Sequence, residues 1–174
     1  MMNEEKLKQT VRDIPDFPSE GILFRDITTL VKDPEAYGSL IATLANELRP
    51  YNIDIVIGPE ARGFVVGSAV AYALRAGFVL ARKPGKLPCE VKRLEYGLEY
   101  GSDCLEIHTD SIKPGARVAL VDDLLATGGT ARAVIDLVRS MGATVEAAAF
   151  AIELSNLNGR EKLDGVPVIT AMTY

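Results

Sequence analysis

Residues 117–130 read RVALVDDLLATGGT. The short apolar and β-branched run 117–121 is what a strand buried on both faces of a parallel sheet requires. Asp122 and Asp123 follow at its C-terminal end, and Ala126, Thr127, Gly128, Gly129 and Thr130 form a small-residue turn. The turn opens the helical pattern ARAVIDLVRSM at 131–141. Such a turn aims unpaired N–H groups outward with a helix dipole behind them, which favours anions. Adjacent carboxylates beside an anion cradle suit a ligand carrying both hydroxyls and phosphates. The stretch lacks the lysine of a P-loop and the spacing of a dinucleotide fingerprint.

The same alternation extends outward. Residues 3–12 read as an amphipathic helix and 13–18 as an irregular connector. Asp33-Pro34 is a sound helix start, and that helix runs to about Arg49. A strand over 54–57, a helix over 61–75 and a strand over 78–81 follow. Beyond the opening motif, Gly142 ends the helix 131–141, and strands are expected over 145–153 and 166–171. Apolar strands alternating with helices predict an α/β fold with a doubly wound, mostly parallel central sheet flanked by helices. Residues 82–110 break this rhythm with prolines and clustered charges. The stretch is too long for an ordinary connection, and it leaves the C-terminal end of a strand, where open α/β sheets collect ligands. It reads as a hairpin-like flexible lid carrying Arg82, Lys83, Lys86, Lys92 and Arg93, able to cover an anionic substrate.

Bulk properties limit the alternatives. At 174 residues the chain is most simply one domain, 1–174. No apolar run reaches the length of a membrane span, and the charged N-terminus does not resemble a signal peptide; a cytoplasmic location with no membrane partner is the expectation. A net charge of −5 argues against a nucleic-acid partner. Two cysteines, Cys89 and Cys104, make neither a disulfide framework nor a metal site. With one histidine, His108, histidine-based nucleophilic or zinc chemistry is disfavoured.

VALVDDLLATGGT resembles the phosphoribosyl-pyrophosphate signature of the type I phosphoribosyltransferases. The resemblance implies that Asp122 and Asp123 hold the ribose hydroxyls and that residues 126–130 hold the 5′-phosphate. Asp54-Ile-Val-Ile-Gly-Pro-Glu-Ala-Arg-Gly63 is similar to the family's pyrophosphate loop, so Glu60, Ala61 and Arg62 would meet the leaving group. The family often has a cis non-proline peptide in this loop, and Glu60–Ala61 is the position here. Phe17-Pro-Ser-Glu-Gly-Ile-Leu-Phe-Arg-Asp-Ile27, Leu98-Glu-Tyr-Gly101 and Asn158-Gly-Arg-Glu-Lys-Leu163 resemble the family's adenine-specific members.

That resemblance places an N-terminal base-binding segment at about 1–30 and the lid at about 82–108. The backbone of Leu23 and Arg25 would read the adenine edge, Phe24 would pack on its face, and Leu124 and Leu154 would complete an apolar slot. GREKL is expected to prop that pocket. Arg82, Lys83 and Lys86 would join Arg62 at the pyrophosphate, with Mg²⁺ held mainly by substrate rather than by direct protein ligands. Glu99 would act as acid–base partner of the purine ring. The implied activity is transfer of the phosphoribosyl group from phosphoribosyl pyrophosphate to adenine, giving AMP and pyrophosphate in purine salvage. A homodimer is implied, with Arg82 reaching the partner's site. The alternatives are a 6-oxopurine transferase and a phosphoribosyl-pyrophosphate-sensing regulator of the same fold.

Overall fold

The computed structural model describes residues 1–97 and 102–174. The chain opens with α1 (Glu4–Lys8) and an antiparallel pair, β1 (Arg12–Ile14) with β2 (Phe24–Asp26). Helices α2 (Thr28–Val31) and α3 (Pro34–Leu48) lead to β3 (Ile55–Pro59), α4 (Arg62–Leu74) and β4 (Gly77–Ala81). A hairpin of β5 (Val91–Gly97) and β6 (Ser102–His108) precedes β7 (Arg117–Leu125), α5 (Gly129–Ser140), β8 (Thr144–Glu153) and β9 (Val168–Thr173).

Local chemistry explains the helix ends. The Asp33 carboxylate accepts the N–H groups of Glu35 (2.9 Å) and Ala36 (3.0 Å), and Pro34 occupies the first turn of α3. Ala36, Leu40, Leu44 and Leu48 recur every fourth residue and are all fully buried, the stripe an amphipathic helix turns to its core. Gly128 (φ +79°) and Gly142 (φ +78°) bracket α5 in the left-handed region that glycine adopts without strain.

The central sheet has five parallel strands in the order β4-β3-β7-β8-β9. Its two faces bury separate cores. Along β7, Val118 and Leu120 join the core under α5, whereas Ala119 and Val121 join the one under α3 and α4. Side chains of a strand alternate between faces, so an unbroken apolar run is what a doubly covered sheet demands. The chain leaves β3 toward β4 on one side and later returns as β7 on the other. Strand order therefore reverses between β3 and β7, and a crevice opens beyond their C-terminal ends.

Four expectations need correction. The first helix ends at Lys8, because residues 12–14 pair with 24–26 and Arg12 bonds Asp26 from the neighbouring strand. The stretch 13–18 is consequently not wholly irregular. The last strand begins at Val168 rather than 166. Finally, β7 does not stop at residue 121: pairing with β8 continues through Leu124↔Ile152 and Leu125↔Glu153, so Asp122 and Asp123 sit inside a strand.

The excursion is a hairpin, and its stem is anchored. Leu105 and Ile107 are buried in the α5-side core, and Leu94 and Tyr96 pack against it. Lys92 Nζ donates to the Ser140 carbonyl at 2.7 Å. Arg82 and Glu106 exchange backbone hydrogen bonds of 2.9 and 2.7 Å.

Candidate active site

The crevice at the sheet's switch point is a half-open cleft of about 410 Å³, lined by residues 59–62 and 122–131. Two strand-to-helix connections thus make opposite walls.

Asp122 and Asp123 point to different sides of β7 yet share one network. Asp122 Oδ1 accepts the Asp123 N–H at 2.8 Å. Asp123 is buried, and its Oδ2 accepts Arg62 Nε across the cleft. Burial, and then the charge of Asp123, push the Asp122 carboxyl well above the usual carboxylate range, against the pull of Arg62. A hydroxyl-rich or cationic partner would relieve the burial and mutual repulsion of the pair. Gly63, in the first turn of α4, permits this packing: a Cβ there would stand 2.6 Å from Asp122 Oδ1 and 2.9 Å from Pro59 Cδ.

Ala126, Thr127, Gly128, Gly129 and Thr130 all line the cleft. They rest on Gly159, the first residue of a 3₁₀ helix spanning Gly159–Leu163. A Cβ on Gly128 would lie 2.5 Å from the Gly159 carbonyl oxygen, and one on Gly159 would lie 2.3 Å from that of Ala126. Arg160 clamps this helix by a bidentate pair to buried Glu153 at the end of β8, at 2.5 and 2.6 Å. GREKL therefore buttresses the anion turn.

On the facing wall the Glu60–Ala61 peptide is cis. Glu60 accepts Arg82 Nε (2.8 Å) and the Lys83 N–H (2.9 Å). Burial works against its charge, but these two donors together with the charges of Arg82 and Lys86 hold the carboxyl below its usual range. Arg82 Nη1 also donates to the Lys86 carbonyl at 3.1 Å. The basic root of the hairpin is thereby tied to the loop it was expected to serve, although Arg82, Lys83 and Lys86 are not among the residues that line the cleft.

The residues expected around a base gather beside the cleft. Phe24 meets Phe17 edge-to-face at 5.1 Å, and the Arg62 guanidinium lies 5.1 Å from the Phe24 ring centre. Leu23 is 45% exposed. Arg25 turns its side chain to Asp13 and stacks 3.9 Å from the Tyr174 ring centre, which leaves only its backbone for a base. Leu124 lines the cleft, and Leu124 and Leu154 pack on the same core. Arg62 bridges the two groups, touching Phe24 on one side and Asp123 on the other. Glu99 and the rest of 98–101 fall outside the described residues. His108 ends β6 with a buried Nε2 that has no hydrogen-bond partner among the described residues, and it does not line the cleft.

Among the described residues, no group of three or more acidic, histidine or cysteine side chains converges as a metal cage. Asp122, Asp123 and Glu60 border the cleft with carboxylates, hard-oxygen donors of the kind Mg²⁺ takes. Several supporting contacts escaped sequence reasoning: the seat of the anion turn on Gly159, the Arg160–Glu153 pair and the Glu60–Arg82 pair. Their signals were a glycine opening a helix and charges of opposite sign far apart in sequence, neither of which indicates a partner.

Comparison with known proteins agrees with this geometry. Residues 28–170 match the family model described as the phosphoribosyl transferase domain. A protein of Acidobacterium capsulatum named adenine phosphoribosyltransferase is 54% identical over 173 residues, covering 99% of this chain and 96% of its own. The crystal structure of adenine phosphoribosyltransferase from Thermoanaerobacter pseudethanolicus superposes with a TM-score of 0.96 at 49% identity, covering 99% of this chain and 100% of its own. The Saccharomyces cerevisiae enzyme, complexed with an imino-altritol bisphosphate and adenine, does so with a TM-score of 0.92 at 41% identity, with 97% of both chains covered. The chain belongs to the phosphoribosyltransferase family and, within it, to the adenine phosphoribosyltransferases.

Proposed function

We propose that this chain transfers the 5-phosphoribosyl group of phosphoribosyl pyrophosphate to adenine, releasing pyrophosphate and forming AMP. The observation that carries the reading is the convergence, in one cleft at the switch point, of the Asp122–Asp123 pair and anion turn with the Arg62 loop. The bond from the anomeric carbon to an adenine ring nitrogen forms as the bond to pyrophosphate breaks, and the purine loses a proton. Positive charge develops on the sugar while negative charge leaves. Catalysis is then largely orientation and electrostatics.

In this reading Asp122 and Asp123 grip the ribose hydroxyls beside the developing positive charge, and residues 126–130 hold the 5′-phosphate. Arg62 exchanges Asp123 for the leaving pyrophosphate, assisted by Arg82, Lys83 and Lys86. Mg²⁺ carried by the substrate would neutralise pyrophosphate charge. The adenine would sit between Phe24 and the Leu124–Leu154 side, read by the backbone of Leu23 and Arg25. Glu99 serves the purine ring; Glu99→Gln should cut turnover by about a hundredfold while sparing affinity for phosphoribosyl pyrophosphate, and unchanged turnover would remove it from the mechanism.

A homodimer is part of the proposal. Val65 (40% exposed) and Tyr72 (88%) lie two turns apart on α4, and Leu80 (40%) lies on the edge strand β4. Exposed apolar side chains of this kind suit a second copy. Sedimentation of the wild type as a fully active monomer would refute it.

The deciding experiment is competition among adenine, hypoxanthine, guanine and xanthine, each with phosphoribosyl pyrophosphate and Mg²⁺, followed by pyrophosphate release. Adenine should dominate. Preference for a 6-oxopurine, or ligand binding without turnover, would overturn the reading.

A further inference from the structure

The tetrapeptide LEYG occurs twice in succession, at 94–97 and 98–101. The mechanism uses only the second copy. The first lies on β5, where Tyr96 packs half-buried against the α5-side core. Its phenol oxygen is 3.4 Å from Thr130 Oγ1, within the turn that opens α5 and lines the cleft. The hairpin thus reaches the anion turn through these two hydroxyls.

The direction of that hydrogen bond depends on what occupies the turn. A threonine hydroxyl has one proton and two lone pairs. A phosphate dianion can only accept, so Thr130 must spend its proton on the phosphate when one is bound. Tyr96 is then the donor to Thr130, and the two bonds polarise in series, the second being charge-assisted. We propose that Tyr96 is a positioning residue: its O–H donates to Thr130 Oγ1 and turns the Thr130 proton toward the 5′-phosphate. The proposal rests on the assignment of residues 126–130 to that phosphate. Phosphate occupancy would also tighten the contact between the turn and β5, on the strand that leads to Glu99.

Tyr96→Phe keeps the ring packed and removes only the hydroxyl. The test compares this variant, Thr130→Ala and the double variant in the full-length protein. Readouts are AMP affinity by calorimetry, KM for phosphoribosyl pyrophosphate and for adenine, and melting temperature. Tyr96→Phe should weaken AMP binding and raise KM for phosphoribosyl pyrophosphate by about threefold to tenfold. The adenine KM and melting temperature should stay near wild type. The double variant should match Thr130→Ala, because without the threonine oxygen the phenol has nothing to orient. Wild-type AMP affinity in Tyr96→Phe, beside a weakened Thr130→Ala, would overturn the proposal alone. A full additional loss in the double variant would also overturn it. Wild-type AMP affinity in Thr130→Ala would overturn the phosphate assignment and the proposal with it.

Discussion

The loops that follow β3 and β7 face each other across one cleft, and both join a parallel strand to a helix. They are built on opposite principles. The loop after β7 is held from behind by backbone: Gly128 and Gly159 approach so closely that neither tolerates a Cβ. The loop after β3 is held by charge, with Glu60 tied to Arg82 and the Lys83 amide, and Arg62 tied to Asp123. Close-packed backbone makes a fixed cradle for a group that stays bound throughout the reaction. Ion pairs can be exchanged, which suits contacts to a group that must arrive and depart.

Removing the carboxylate that receives Arg62 from the facing wall should have the largest effect. Asp123→Asn should lower kcat/KM for phosphoribosyl pyrophosphate by about a hundredfold or more; wild-type kinetics would break the comparison at its centre. Asp122→Asn should be comparably inactive yet no less stable. The raised carboxyl of Asp122 means that its ionisation works against folding, with the stability present below the unfolded pKa and lost as pH rises through the folded one. The neutral amide can still accept the Asp123 N–H, and calorimetric melting should show no loss.

Next in size is Gly128→Ala, which forces a Cβ into φ +79° and against the Gly159 carbonyl. A destabilisation of about 2–4 kcal/mol is expected by denaturant unfolding, and a mild effect would mean the cradle is less fixed than described. Glu60→Gln tests the charged wall. It should raise KM for phosphoribosyl pyrophosphate by about fivefold to tenfold with little change in melting temperature. A stability loss as large as that of Gly128→Ala would erase the distinction.

The smallest effect lies outside both loops. Arg12, Thr28 and its amide hold Asp26 at a pKa of about 2, below its usual 3.8. Its folded pKa is depressed, so its stabilisation is present above about pH 4 and lost as pH falls toward 2. Asp26→Asn should flatten the acid limb of a pH–melting curve.

Much of this was legible in the chain. An apolar run of 117–121 followed by two aspartates and a glycine turn specifies a buried strand and an anion cradle through local rules alone. Proline, glycine and capping signals placed α3 and α5 within a residue or two. Residues 12–14 were misread because their strand character exists only in pairing with 24–26. β7 outran its apolar pattern because β8 extends the ladder past the acidic pair.

By itself the sequence determined the alternating α/β plan, the acidic pair with its anion turn, and the family the chain resembles, since each depends on residues adjacent in the chain. Tertiary structure alone decided that GREKL supports the anion turn, that Arg62 spans from Phe24 to Asp123, and that Arg82 answers to Glu60. These contacts join residues separated by tens of positions. Burial and hydrogen bonding select such partners only after the sheet has brought β3, β7 and the hairpin root to one edge.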